Sequence, residues 1–269
     1  ITGQIDLNDL TKKISKKTKA IIVPHLYGNV LNIEKLLKIK KKYKIFIIED
    51  CAEALGSYIG KNHVGKFGDI ATFSFFGNKM ITTGEGGMIG FKSKAHKLKA
   101  EVLRDHGMSK KIKYWHDHIG FNFRITNIQS SIGCAQLERI QWFIRNKLNL
   151  AKNYKSKLSK FEFITLPGVY GNVQNSYWLY TIRLDKNFMK YKNILIQKMQ
   201  ENGIEARPIF YPMNMMKPYK KYIDKKEKFP VSENLFNSSI SLPSAYDVNK
   251  NDISMISNFL KNFVNSIKK

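Results

Sequence analysis

The apolar positions fall first into short β-branched runs. Residues 19–24 and 44–49 each read as a buried strand. Between them Asn32 can cap a helix reaching about Lys42, with Ile33, Leu36, Leu37 and Lys40 at helical spacing. Strand, helix, strand is the unit of a parallel sheet. Residues 69–75 and 87–91 read as further strands, and residues 94–103 as a helix. From residue 126 to 160 a helical pattern is sustained, with Ile128, Ile132, Ala135, Leu137, Ile140 and Phe143 on its apolar faces. A helix of that length often links domains or lines a subunit contact. Beyond it, residues 178–184 read as a strand, 191–202 as a helix, 204–208 as a short strand and 251–267 as a terminal helix. The pattern predicts two parts without internal repeats: an α/β domain over residues 1–150 and a smaller α+β domain over residues 151–269.

Composition narrows the class. A chain of 269 residues with 43% hydrophobic content can bury a core. Its longest apolar runs are strand-sized, so no membrane span and no signal peptide is expected. The sequence opens at Ile1-Thr2-Gly3 without a Met, which points to a piece of a longer protein. Cys51 and Cys134 make neither a disulfide framework nor a zinc knuckle. A reducing cytoplasm is the simplest setting, with both thiols expected as small buried hydrophobes. The formal charge of +25 raises the question of a nucleic-acid or membrane partner. The lysines, however, are scattered over expected helix faces (Lys12, Lys13, Lys16, Lys17; Lys38, Lys40, Lys41, Lys42). They read as solvated faces, with no nucleic-acid partner, and their field would steer small anions inward.

Candidate chemistry concentrates in Ile-Glu-Asp-Cys-Ala-Glu-Ala-Leu-Gly at residues 48–56 and Gly-Asp-Ile-Ala-Thr-Phe-Ser-Phe-Phe-Gly-Asn-Lys-Met-Ile-Thr-Thr-Gly-Glu-Gly-Gly at residues 68–87. Asp50 follows a buried strand, and open parallel sheets bind ligands at the carboxyl ends of their strands. Lys79 lies between a strand and a glycine-rich turn, and Phe73, Phe75 and Phe76 suggest partial enclosure. Burial lowers a lysine's pKa and makes its amine fit to form a Schiff base. Ser74 offers a hydroxyl, and Gly84, Gly86 and Gly87 permit tight backbone turns. Each has a plain structural reading alone: a cap, a snorkelling lysine, a turn serine. Together they offer an amine for an aldehyde, an acid for a cationic ring nitrogen and a hydroxyl for a phosphate, the needs of pyridoxal 5'-phosphate (PLP). His116-Asp117-His118 has no third ligand in view, so no metal is expected. His25 reads as a loop or pocket residue, His106 as a rim residue, and Trp115, Tyr177 and Trp178 as core or interface.

These stretches resemble the sugar-nucleotide aminotransferases of the DegT/StrS type, within the aspartate-aminotransferase fold (fold type I). Residues 103–140 are most similar to the GDP-perosamine synthases of that family, and residues 207–219 and 241–248 fit as well. The resemblance implies PLP as cofactor, with Lys79 as the lysine that carries it. It implies Asp50 at the pyridinium nitrogen, Glu53 beside the ring hydroxyl and Ser74 at the phosphate. Asn122, with Arg124 as a companion, would reach the cofactor phosphate of a neighbouring subunit, so a homodimer with shared sites is implied. The implied reaction uses L-glutamate to aminate a 4-keto-6-deoxy sugar nucleotide, giving GDP-perosamine or a close 4-amino sugar. Family members that dehydrate instead carry histidine in place of the lysine, so Lys79 favours transamination. The family's N-terminal portion is missing from the sequence, and with it a helix N-terminus for the phosphate and an aromatic ring on the cofactor. Asn214 stands where a histidine is often found, which touches sugar recognition. The rival readings are a dTDP-linked 4-keto or a 3-keto sugar substrate, and a non-catalytic regulator or truncated remnant of the same fold.

Overall fold

The structure, a computed structural model, describes residues 2–224 and 226–267. In chain order its elements are α1 (Leu7–Lys13), β1 (Ala20–Pro24), α2 (Ile33–Tyr43), β2 (Phe46–Asp50), β3 (Tyr58–Ile59), β4 (Asn62–His63), β5 (Ile70–Ser74), β6 (Gly87–Phe91), α3 (Lys94–Arg104), α4 (Asn127–Glu138) and α5 (Ile140–Leu158). There follow β7 (Ile164–Thr165), β8 (Val173–Gln174), β9 (Tyr180–Leu184), α6 (Lys192–Glu201), β10 (Arg207–Pro208), α7 (Pro230–Ser238), β11 (Ser239–Leu242) and α8 (Lys250–Ile267), with short 3-10 turns between. The chain forms two compact units. One is Gln4–Ile144 with Tyr170–Ser176; the other is Arg145–Val169 and the residues from Tyr177 on, with Thr2 and Gly3. The division falls inside α5, where the sequence pattern puts the change of domain at residue 150.

The first unit is built on the sheet β1-β2-β5-β6. β1 pairs parallel with β2 and β2 with β5, in the register Ile22–Ile48–Ile70, while β6 runs antiparallel to β5. α2 forms as its sequence directs: the Asn32 side chain accepts from Lys35 N, and the helix ends at Lys44 in a left-handed conformation. Its buried residues Ile33, Leu36 and Ile39 belong to one core with Ile21, Val23, Ile47 and Ala71. Lys40, expected on a solvated face, is half-buried and pairs with Asp69 at 2.5 Å. A small sheet, β4-β3-β8, brings residues 173–174 back beside residues 58–59.

Two expectations change here. The long helical stretch is two helices. α4 starts on a capping box made by Thr126 and Gln129, and it stops at Arg139, whose dihedrals leave the helical region. No proline or glycine marks that break. Cys134 is exposed, whereas Cys51 is buried. The cause is that α4 buries none of its residues within this chain.

The second unit is an antiparallel sheet, β10-β11-β9-β7, with α6, α7 and α8. Its core joins Tyr154 of α5, stacked on Tyr180 with centroids 4.7 Å apart, to Ile182, Ile240, Leu195, Met199, Ile253 and Leu260. β11 reads Ser-Ile-Ser-Leu, yet all four residues are buried. Lys147 is also buried, and its ammonium donates to Trp178 O and Ser244 O. Burial pushes its pKa down to about 8 from the ordinary 10.5. Between those values the unfolded chain holds a proton that the folded chain lacks, so stability rises with pH through that window. The gain is at most about 3 kcal/mol, less whatever the two carbonyls give back to the charged form. In urea unfolding, the stability of the native protein relative to Lys147→Met should rise from pH 8 to pH 10.5, and a constant difference would remove the linkage. No helix among the described residues is long and apolar enough to cross a membrane.

Candidate active site

The period of two along β2 sets the site. Ile47 and Glu49 share the buried face of the sheet, so Asp50 faces the other way at the strand's carboxyl end. Asp50 Oδ1 accepts from Ala52 N at 3.0 Å and from the Thr72 hydroxyl at 3.5 Å. Three residues on, Glu53 Oε2 accepts from Tyr27 N at 2.8 Å. Burial pushes the Glu53 carboxyl above its ordinary range; the Tyr27 N–H and the charge of Lys79 oppose this, and Asp50 adds to it.

Lys79 is partly enclosed, on the turn that follows β5, and its N–H donates to Phe76 O at 3.0 Å. Burial lowers its pKa, and the nearby carboxylates of Glu53 and Asp50 offset only part of that. Both carboxylates are therefore close enough to act on this one amine. Such an amine is neutral more often than a solvated lysine and is the better nucleophile. Ser74 is the last residue of β5, and its Oγ accepts from Phe76 N at 3.3 Å. The structure thus brings Lys79, Asp50 and Glu53 into one cluster and sets Ser74 at the strand end that leads to it. Asn122 and Arg124 lie on an exposed segment, Asn122 in a bridge with Asp105 and Arg124 paired to Asp105 at 3.2 Å.

Beneath this cluster is a feature absent from the sequence reading. Glu49 is fully buried, and its Oε2 lies 3.1 Å from Nε2 of His25, which is equally enclosed. The same carboxylate accepts from the backbone N–H groups of Gly65 at 2.9 Å, Phe67 at 2.8 Å and Gly68 at 2.5 Å. Burial alone would raise its pKa, but the bonds from His25, Gly68 and Gly65 and the charge of His25 prevail and hold it below the ordinary range. Gly65 is required here: it has φ +89°, and a Cβ would stand 2.7 Å from the Phe73 ring. The signal for Glu49 is its parity, an acid at an inward position of an otherwise apolar strand. Ligand atoms of His25, Glu49 and Cys51 lie within 4.8 Å of one another. The Glu49 oxygens are already taken by four N–H donors, and burial pushes the Cys51 thiol far up. That donor set suits a hydrogen-bonded pair, not a cation.

Other candidates take ordinary places. His116 Nδ1 contacts His106 O at 2.9 Å, Trp115 is exposed, Trp178 is buried and Asn214 donates to Glu233 at 3.1 Å.

A mostly parallel α/β sheet that sets a lysine and two carboxylates at or just beyond its strand ends has the groups to hold a carbonyl cofactor. The chain belongs to the DegT/DnrJ/EryC1/StrS aminotransferase family, whose model matches residues 1–261. It is 38% identical over 264 residues to the GDP-perosamine synthase of Vibrio cholerae, covering 98% of this chain and 71% of that protein. It is 40% identical over 245 residues to the GDP-perosamine synthase of Escherichia coli O157:H7, covering 90% of this chain and 65% of that one. Among solved structures, Helicobacter pylori PseC, an aminotransferase involved in the biosynthesis of pseudoaminic acid, superposes with a TM-score of 0.92. That match has 28% identity and covers 98% of this chain and 72% of the PseC chain. The chain thus spans roughly two thirds of the length of these relatives.

Proposed function

We propose that the protein is a PLP-dependent aminotransferase that converts a 4-keto-6-deoxy sugar nucleotide into the 4-amino sugar, with L-glutamate as amino donor. The observation that carries this reading is the meeting of Lys79, Asp50 and Glu53 at the strand ends. Their chemistry fits the cofactor: an amine of lowered pKa, a carboxylate for the ring nitrogen and a carboxyl of raised pKa for the ring hydroxyl. PLP, when bound, supplies an electron sink at the substrate's reacting carbon. Lys79 would hold it covalently and, once released, would move a proton at its Nζ to or from that carbon. Asp50 would keep the ring nitrogen protonated, which deepens the sink. Ser74 would bind the phosphate, and Asn122 the phosphate of a neighbouring subunit's cofactor.

Two relatives named GDP-perosamine synthase support GDP-4-keto-6-deoxymannose as the acceptor and GDP-perosamine as the product. The charge of +25 suits a diphosphate substrate. A homodimer with shared sites is supported by apolar surface that this chain leaves open: Ile119 is 92% exposed, Ile128 76% and Phe123 71%. A cytoplasmic setting agrees with two free cysteines.

A panel of GDP- and dTDP-linked 4-keto and 3-keto sugars, each with L-glutamate, tests the assignment by release of 2-oxoglutarate. The reading expects release with the GDP-linked 4-keto sugar above all others. Preference for a dTDP or 3-keto sugar would overturn the substrate. No release with any of them would favour a non-catalytic relative.

A further inference from the structure

The buried His25–Glu49 pair has no part in the chemistry just described, yet it lies directly behind the cluster that does. His25 follows β1, and its backbone N–H donates to Asp50 O at 3.0 Å. Its ring is fully enclosed; among the described residues Nδ1 has no hydrogen-bond partner, so Nε2 to Glu49 is the ring's one tether. Glu49 in turn is fixed by three backbone donors from residues 65–68. From His25 the chain enters the turn Leu26–Gly28, where Tyr27 takes a left-handed conformation at φ 57°. A bulky residue holds that conformation only when its surroundings over-determine it. Here the far end of the turn is tied as well: Gly28 O accepts from the Ser57 hydroxyl at 2.5 Å and from Ser176 N at 3.3 Å. Between these ties the Gln4 side chain bonds both backbone groups of Leu26, at 3.1 and 3.3 Å, and Tyr27 N donates to Glu53.

We infer that His25 and Glu49 are positioning residues that fix, through the turn Leu26–Gly28, where the Glu53 carboxylate stands relative to Lys79 and Asp50. The inference rests on the proposed PLP site for its catalytic meaning, but the geometry is a property of the chain itself. The charged groups that face Glu53 are Lys79 and Asp50; those that face Glu49 are His25 and, more weakly, His63. With the His25 tether gone, the turn keeps its bonds to Asp50 O and to the Gln4 side chain but loses the ring that sets its position over Glu49, and the bond from Tyr27 N to Glu53 is weakened. A carboxylate that loses one such bond titrates higher by about one to two units.

The test is the titration of Glu53 by carbon NMR in the cofactor-free protein, assigned with Glu53→Gln. His25→Asn, whose shorter amide cannot reach Glu49, should raise the Glu53 midpoint by up to that amount. His25→Gln, which can place its amide nitrogen near the original Nε2, should restore it. Loss of stability alone, with the Glu53 midpoint of the folded protein unmoved in His25→Asn, would overturn the inference. If that variant does not fold, Glu49→Gln disturbs the same His25–Glu49 bond from its other side. It must then shift Glu53 the same way, and an unmoved midpoint there overturns the inference equally. Because no PLP is present, the result stands apart from whether the protein transaminates. In the PLP-bound enzyme the same variant should shift the pH titration of the visible chromophore, and His25→Gln should not.

Discussion

Lys79→Ala should lose the yellow colour that PLP gives the protein and lower sugar amination by about 10⁴-fold, the upper end of what one acid–base group contributes. The expectation follows from position. Lys79 is the amine that both Glu53 and Asp50 face, and burial has lowered its pKa. Other lysines near these units have different surroundings. Lys40 is paired with Asp69, and buried Lys147 donates to main-chain carbonyls of the other unit. Neither meets a carboxylate pair at a strand end. Difference spectra and 2-oxoglutarate release check this together. A variant that kept both colour and turnover would remove Lys79 from the chemistry. One that kept colour but lost turnover would limit it to proton transfer.

Glu49→Ala should cost about 3–5 kcal/mol of stability, because it strips four donors of their acceptor inside the first unit. His25 and the backbone N–H groups of Gly65, Phe67 and Gly68 would all lose their charged acceptor. Glu49→Gln should fall between, since its amide keeps one acceptor oxygen but turns a donor toward other donors. The pH dependence has a defined sign. The folded pKa of Glu49 lies below the ordinary 4.5, so above 4.5 its contribution is fully present. That contribution is lost as pH falls through the lowered folded value. Urea unfolding from pH 7 downward should therefore show a steeper acid loss in the native protein than in Glu49→Gln. Equal slopes would mean that the pair carries no linked stability.

Much of the fold was legible because each local cue agreed with the packing. In β1, α2 and β2, the β-branched runs, the Asn32 cap and the helical spacing of Ile33 and Leu36 all point one way. Other elements gave no local cue. The break at Arg139 has neither glycine nor proline, and its dihedrals depart only modestly from a helix. β11 alternates serine with Ile and Leu, which reads as half-exposed, but its serines are buried as well. Of the site, Asp50, Ser74 and Lys79 stood out by residue type and place and Glu53 through the family resemblance, and in the structure Asp50 and Glu53 lie near enough to Lys79 to act on its charge. Glu49 did not stand out. In sequence it is one acid beside another at a strand end, and only the two-residue period of the buried sheet face separates their roles. The apolar residues of α4 such as Ile128 and Ile132 are left exposed by this chain, and a single chain's pattern does not say what covers them.

The central claim is that Lys79 would hold PLP and that the protein would take its amino group from glutamate. The most direct test is the visible absorption spectrum of the purified protein with PLP, before and after L-glutamate. The account predicts a yellow band that forms with PLP and bleaches when glutamate is added. A spectrum that remains that of free PLP, unchanged by glutamate, would contradict it.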